Sequence, residues 1–285
     1  MNDMGRRLRI RHETVVAYEG TAASSYNEVR MTPLTLPAQT VLDARIAVAP
    51  SVPTWSYWDY WGTQVSVFDL PDPHTRLSVI ATSMVETAPP GPLPLPPDRT
   101  AIRAHTATSR LAEYAAATPR TTLPGDGEAM EQAREAADGL DAHEAAAAVA
   151  ELVRGRVAYT PGATGVYTGA QETWEQQVGV CQDFAHLSTA LLRAVGLPAR
   201  YVSGYLHPDP DAEPHLAVAG QSHAWIEYWA GEWISHDPTN GTRAGESHVI
   251  VGRGREYGDV PPHKGVYRGA PGGAPRVEVE FTRLV

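Results

Sequence analysis

Gly179-Val-Cys-Gln-Asp-Phe-Ala-His-Leu-Ser-Thr-Ala-Leu-Leu-Arg-Ala-Val-Gly-Leu-Pro198 contains Cys181, the single cysteine of the chain. Its apolar residues fall at Phe184, Leu187, Leu191, Leu192 and Val195, the stripe of an amphipathic helix. Gly196 and Pro198 then stop the helix, a glycine just past the end and a proline beyond it. Cys181 therefore falls at or just before the first turn, where free N–H groups and partial positive charge favour a thiolate. Gly179 predicts a tight turn that leaves the sulfur approachable. The plainer alternative is a small buried hydrophobe, the usual fate of a free cysteine.

Downstream, Ser222-His-Ala-Trp-Ile-Glu-Tyr-Trp-Ala-Gly-Glu-Trp-Ile-Ser-His-Asp-Pro-Thr-Asn-Gly241 reads as two strands joined by a short turn, with aromatic and β-branched residues in both arms. Gly231 suits the left-handed last position of a three-residue loop, Trp229-Ala230-Gly231. That loop places Tyr228 opposite Glu232 and, counting outward, His223 opposite Asp237, with Cβ atoms ~5 Å apart. An Asp beside a His fixes the imidazole tautomer and stabilises its protonated form. A thiol at a helix start together with such a His is the layout of an activated cysteine nucleophile.

Gly-Val-Cys-Gln-Asp-Phe-Ala-His-Leu around Cys181, His223-Ala-Trp-Ile-Glu, and Asp237-Pro-Thr-Asn resemble, in the same order, the three core motifs of the bacterial transglutaminase-like superfamily. Ser25-Tyr-Asn-Glu-Val-Arg-Met-Thr-Pro33 and Gly254-Arg-Glu-Tyr-Gly-Asp-Val-Pro-Pro262 resemble its flanking regions, so the likeness covers nearly the whole chain. It implies an α+β, papain-like core with a Cys181–His223–Asp237 triad. It leaves open cross-linking, proteolysis, amide hydrolysis or a member without activity.

The chain has 285 residues, 42% of them hydrophobic, enough for one large domain or two smaller ones. A net charge of −10 argues against nucleic acid or an anionic membrane as partner. One cysteine excludes an internal disulfide, and a thiol enzyme would need reducing conditions. Met1 to Val16 has no apolar core of signal-peptide length and no run is long enough to cross a bilayer, so a cytoplasmic protein is expected.

Leu8, Ile10, His12, Thr14, Val16 and Tyr18 alternate with more polar neighbours, as in a half-buried strand. Val41 to Val48 and Arg76 to Val85 also read as strands, and Tyr57 to Phe68 as a hairpin around Trp61-Gly62. Residues 1–88 are thus expected to form an all-β, sandwich-like domain. Its Trp55, Tyr57, Trp58, Tyr60 and Trp61 are read as packing in preference to a ligand platform. Pro89-Pro-Gly-Pro-Leu-Pro-Leu-Pro-Pro97 marks a stiff linker over residues 89–100. Residues 101–285 hold the expected catalytic core, with short helices at Ser109–Ala117 and Asp126–Ala137. A stronger helix runs from Asp141 to Val157, begun by a capping box of Asp141 and Glu144.

The Pro- and Gly-rich stretch Ala158–Ala170 is expected as one wall of a cleft, with Trp174 either shaping that wall and binding substrate or lying in the core. Ala199–Leu206 reads as a strand, and the acidic loop His207–Gly220 as a substrate-recognition lid or a plain surface excursion. His248–Val251 and Arg276–Leu284 read as closing strands.

Eleven histidines raise the question of a metal. There is no His-Glu-x-x-His, and one cysteine cannot make a Cys-x-x-Cys site, so no metal is expected. His186 lies five positions after Cys181, ~140° away around a helix, and reads as a packed histidine. His236 should face away from Asp237. Gly-x-Ser-x-Gly, phosphate loops and calcium loops are absent, and no cofactor is called for. The expected activity is a thiol enzyme acting on amide bonds of proteins or peptides through a Cys181 thioester, resolved by water or by an amine. The rival is a non-catalytic module that binds peptide or protein on the same fold.

Overall fold

In a computed structural model of the chain, residues 5–209 and 212–284 are described. The alternation that begins at Leu8 forms a strand that continues past Tyr18: β1 spans Arg6–Val29. Leu8, Ile10, His12, Thr14, Val16 and Tyr18 are all buried, as a period of two demands. The first half of β1 lies between β5 (His74–Thr87) and β14 (Arg276–Arg283). Its second half lies between β4 (Gln64–Leu70) and β13 (His263–Gly269). β2 (Gln39–Ala49) pairs with the other side of β5, and β3 (Trp55–Trp58) returns into β4 through a turn in which Gly62 has a φ of +76°.

The aromatic cluster does not pack as expected. Trp55, Tyr57, Trp58 and Tyr60 are 61%, 44%, 64% and 65% exposed. They lie on and just after β3, and among the described residues no further strand pairs beyond it. Trp61 is the member that packs, against Tyr114 at a centroid distance of 5.6 Å.

Helices follow the proline run. The chain becomes helical earlier than the sequence pattern indicates, at α1 (Arg99–Ala107), whose N-cap Asp98 accepts the Thr100 N–H at 2.7 Å. Next come α2 (Ala112–Ala115), α3 (Glu128–Ala136) and α4 (Ala142–Arg156). α4 starts on the full capping box: Asp141 accepts from His143 and Glu144, and Glu144 reaches back to the Asp141 N–H. A short parallel pair, β6 (Ala158–Tyr159) and β7 (Val178–Gly179), brackets α5 (Ala170–Gln176) and leads into α6 (Cys181–Ala194). α6 ends at Gly196, whose φ of +84° suits the left-handed exit.

Leu187 and Leu191 of α6 share one core with Tyr201, Ala224 and Ile226 from β8 (Ala199–Leu206) and β9 (Ala217–Trp229). β9 turns into β10 (Trp233–Asp237), which pairs with the short β11 (Thr242–Arg243), and β12 (His248–Gly254) flanks β8. The sheet then closes on the N-terminal region: β14 pairs with β1 on one side and with Ala217–Gly220 of β9 on the other. Leu8, Ile10 and Val85 accordingly share a core with Tyr205, Val249 and Phe281. The C-terminal strand thus joins the first strand of the chain to the strand that carries His223.

Candidate active site

The start of α6 is built by Asp183. Val180, the residue before the helix, has no side-chain acceptor. Asp183 instead reaches back from the first turn, its Oδ2 accepting the Val180 N–H at 2.7 Å and the Thr164 hydroxyl at 2.6 Å. Gly179 makes room for this: a Cβ there would lie 2.7 Å from the Asp183 Cβ. The glycine is therefore required for close approach of a carboxylate. Asp183 is fully buried, and burial pushes its carboxyl pKa up against those two bonds. Cys181 becomes the first residue of the helix, half-buried, at the open N-terminal end.

The hairpin register differs from the sequence reading by two residues. Trp229 pairs with Trp233 and Tyr228 with Ile234, so the loop is Ala230-Gly231-Glu232. The two tryptophan rings pack edge-on at 5.4 Å, and this cross-strand aromatic contact belongs to the observed register. A two-residue shift preserves the face of every side chain. Asp237 therefore reaches His223 diagonally, and His223 Nε2 lies 2.7 Å from Asp237 Oδ2. Cys181 lines the same cleft as His223, close enough to raise its pKa. With Nε2 committed to Asp237, Nδ1 is the ring nitrogen left for the sulfur. All three residues expected from the sequence are thus brought together.

Asp237 is fully buried and receives hydrogen bonds on both oxygens. Oδ1 accepts the backbone N–H groups of Thr239 at 3.0 Å and Asn240 at 3.2 Å. Oδ2 accepts His223, the Asn240 side-chain amide at 2.7 Å and His248 Nε2 at 3.1 Å. Asp237 thereby shapes the turn with one oxygen and holds imidazoles with the other. Burial works to raise its pKa; the bonds from His223, His248 and Asn240 overcome this and hold it well below the usual carboxylate range. For His223, burial works to lower the pKa, while the bonds to Asp237 and Cys181 bring it up to about 9.

His248 was not singled out by sequence. It opens β12, and its place beside His223 depends on two registers on β8: Leu206 with His248, and Gly204 with His223. The Gly245 N–H donates to His248 Nδ1 at 3.2 Å, so the ring proton sits on Nε2 and points at Asp237. Trp225 stacks on His223 at 6.0 Å and 25°, the geometric content of the His-Ala-Trp spacing. His223, Asp237 and His248 offer ligand atoms within 4.8 Å of one another. As a cation cage this trio fits poorly: His248 Nε2 carries a proton fixed by Gly245, and Asp237 Oδ2 already takes three donors. His186 is packed, fully buried, its Nε2 accepting the Tyr257 N–H at 3.1 Å.

Cys181 and His223 open onto a cleft of about 360 Å³. His12 and Thr14 of β1 line it, as do Val166, Tyr201 and Ser203, and residues such as His263 from the C-terminal strands. Among the described residues no Asp, Glu, Lys or Arg lines it. Val166 belongs to the loop expected to supply a wall. Trp174 does not line the cleft: it is 4% exposed, packed in the helical core, with the Arg156 guanidinium 4.5 Å from its ring centroid. Its place on α5 turns it into that core. Nor do the described residues of His207–Gly220 cover the cleft. Ala217–Gly220 are strand paired to β14, and His207 and Ala212 are buried; Pro210 and Asp211 lie outside the described residues.

Comparison with known proteins agrees with this architecture. The transglutaminase-like superfamily core matches residues 129–238, and the bacterial transglutaminase-like N-terminal region matches residues 8–86. An uncharacterized protein of Mycobacterium leprae is 41% identical over 98% of this chain and 99% of its own length. The chain belongs to the transglutaminase-like superfamily, with the bacterial N-terminal region. An uncharacterized Mycobacterium tuberculosis protein is 32% identical over 91% of this chain and 87% of its own. A protein-glutamine gamma-glutamyltransferase of Pseudomonas aeruginosa is 33% identical over 125 residues, 40% of this chain and 19% of that one. Among solved structures, a Cytophaga hutchinsonii protein named a "Putative Cysteine Protease" superposes with a TM-score of 0.78 at 20% identity, covering 99% of this chain and 91% of that one. No described helix is long and apolar enough to cross a membrane.

Proposed function

We propose that the protein is a thiol enzyme acting on uncharged amide carbonyls of peptides or proteins, with Cys181 as nucleophile, His223 as base and acid, and Asp237 as the residue that orients His223. The observation that carries this is the position of His223 between Cys181 and a fully buried Asp237 at 2.7 Å, beside an open cleft. Among the described residues no Asp, Glu, Lys or Arg lines the cleft, which suits a neutral acyl group.

His223 takes the thiol proton on Nδ1 while its Nε2–H stays on Asp237. The sulfur bonds to the carbonyl carbon and the π electrons move to oxygen, which the Cys181 N–H stabilises. His223 returns the proton to the departing nitrogen, the C–N bond breaks, and an acyl thioester remains. Water, or an amine, gives a proton to His223 and attacks the thioester, and the thiol leaves with that proton. Hydrolysis is the outcome favoured in an open cleft, since water is always present; an amine acceptor would give transamidation.

The experiment is to incubate the protein with glutamine-containing peptides and follow peptide cleavage, ammonia release and the mass of Cys181. An acyl adduct on Cys181, with turnover lost in Cys181→Ala, supports the reading. Turnover retained by Cys181→Ala, or a thiol that takes no acyl group and titrates like a free peptide cysteine, replaces it with a non-catalytic peptide-binding module.

A further inference from the structure

Of the three buried tyrosines on β8 and β9, two have their hydroxyls hydrogen-bonded and the third lies beside Cys181. On β8, Tyr205 is 3% exposed and its hydroxyl lies 2.9 Å from His12 Nδ1. On β9, Tyr228 is 4% exposed and its hydroxyl lies 2.9 Å from His143 Nδ1. Tyr201, on β8 opposite Ile226, is 2% exposed and lines the cleft with Cys181 and His223. Among the described residues its hydroxyl has no hydrogen-bond partner, and it is not sealed off in the core. The ring itself is held fast, with His186 of α6 at 5.0 Å and Tyr257 perpendicular to it at 6.5 Å. The hydroxyl is thus left for something in the cleft, where phenylalanine would fill the same core position without a donor.

We propose that the Tyr201 hydroxyl donates to the carbonyl oxygen that Cys181 attacks, as the second donor beside the Cys181 N–H. The assignment rests on the acyl-transfer reading above. A donor fixed on a rigid ring and left unpaired in the resting protein is preorganised for charge that develops only during the reaction. Burial, and the neighbouring Cys181, push the phenol's pKa well above its ordinary value, so the proton stays on oxygen at neutral pH, available for donation. In the reading above His223 serves the sulfur, which leaves the carbonyl oxygen as the acceptor for Tyr201.

The test compares Tyr201→Phe with wild type using two probes. A peptide aldehyde, acetyl-leucyl-leucyl-norleucinal, adds the Cys181 sulfur to its carbonyl carbon, and the thiol proton ends on the former carbonyl oxygen. Iodoacetamide alkylates the same sulfur with loss of iodide and makes no such oxygen. Tyr201→Phe should bind the aldehyde at least about tenfold more weakly, and lose about 10²–10³ in kcat on any peptide turned over, with KM little changed. Iodoacetamide alkylation should stay within about twofold, and thermal stability should hold, because the hydroxyl makes no hydrogen bond within the protein. Equal aldehyde affinity in both proteins overturns the assignment alone. Aldehyde binding and alkylation falling together would move Tyr201 to the sulfur and also overturn it. A wild-type thiol that is alkylated but takes no aldehyde overturns both the assignment and the acyl-transfer reading.

Discussion

His248 Nε2 lies 3.1 Å from Asp237 Oδ2, the oxygen that His223 approaches to 2.7 Å. Two imidazoles from different strands thus share one carboxylate oxygen. His248 is a positioning residue, since it touches neither Cys181 nor the carbonyl to be attacked. His248→Ala leaves the buried carboxylate one donor short, which costs about 1.5–3 kcal/mol of stability. Asp237 is then less neutralised and holds the His223 imidazolium more strongly, so the alkaline limb of thiol alkylation should move to higher pH. Denaturant unfolding and an alkylation–pH profile read the two effects. Unchanged stability together with an unmoved alkaline limb would mean the 3.1 Å contact has no energetic role.

Asp237→Asn separates the two oxygens of Asp237. The turn needs an acceptor for the Thr239 and Asn240 N–H groups, which an Asn side-chain oxygen can supply. The other end becomes an NH₂ facing three donors. Loss of the negative charge lowers the His223 pKa from about 9 and narrows the pH range in which thiolate and imidazolium coexist. Alkylation at neutral pH should slow by about tenfold or more, which corresponds to one pKa unit. A partial loss of turnover is expected, since a neutral Asn can still orient an imidazole. An alkylation profile identical to wild type, alongside lowered stability, would confine Asp237 to the turn.

The helix that carries Cys181 was legible because its apolar stripe and its Gly196 stop are local features. So was the shared face of His223 and Asp237, because a two-residue register error does not change parity. The register itself was not, because Gly231 lies in the middle of the loop, φ +92°, between the paired Trp229 and Trp233. His248 and Tyr201 were hidden for a different reason. Each acquires its role from pairings between strands distant in sequence, β8 with β12 and β8 with β9, that no single stretch encodes. Asp183 did leave a local trace: an acid in the first turn, able to reach back to the chain ahead of Cys181.

Two fully or nearly fully buried histidines predict acid sensitivity. Burial brings His186 down to about 3 and His12 to about 4 from the ordinary 6.5. Both fold as neutral rings, so the unfolded chain binds more protons as pH falls below 6.5. Their contribution is complete above that pH and is lost as pH drops toward 4, at ~1.4 kcal/mol per pH unit for each ring. His223 acts in the other window: its pKa is raised to about 9, so its contribution is present below 6.5 and lost as pH rises through about 9. His186→Gln, whose amide oxygen can accept the Tyr257 N–H, should flatten the decline between pH 6 and 4.5 by about 1 kcal/mol per pH unit. Denaturant midpoints at several pH values check this, and a slope equal to wild type would show that His186 does not titrate on unfolding.

The seam made by β14 governs whether the two ends of the chain stay together. Residues Leu8–Val15 pair with Arg276–Arg283, and Ala217–Gly220 pair with Val279–Thr282 on the other side of the same strand. The proline-rich stretch 89–97, by contrast, contains no regular element. A protease cut there should leave both fragments associated on gel filtration, held by β14 and by the core of Leu8, Ile10, Val85, Val249 and Phe281. Gly220→Val attacks the seam directly. A Cβ at Gly220 would lie 2.3 Å from the Phe281 ring, which is fully buried and cannot move aside without opening the core. The nicked variant should therefore separate into two fragments, or precipitate through the exposed edges of β1 and β9. Wild-type fragments that separate after the cut would show that β14 does not hold the halves together. A nicked Gly220→Val protein that elutes as one particle would show that the seam tolerates the added side chain.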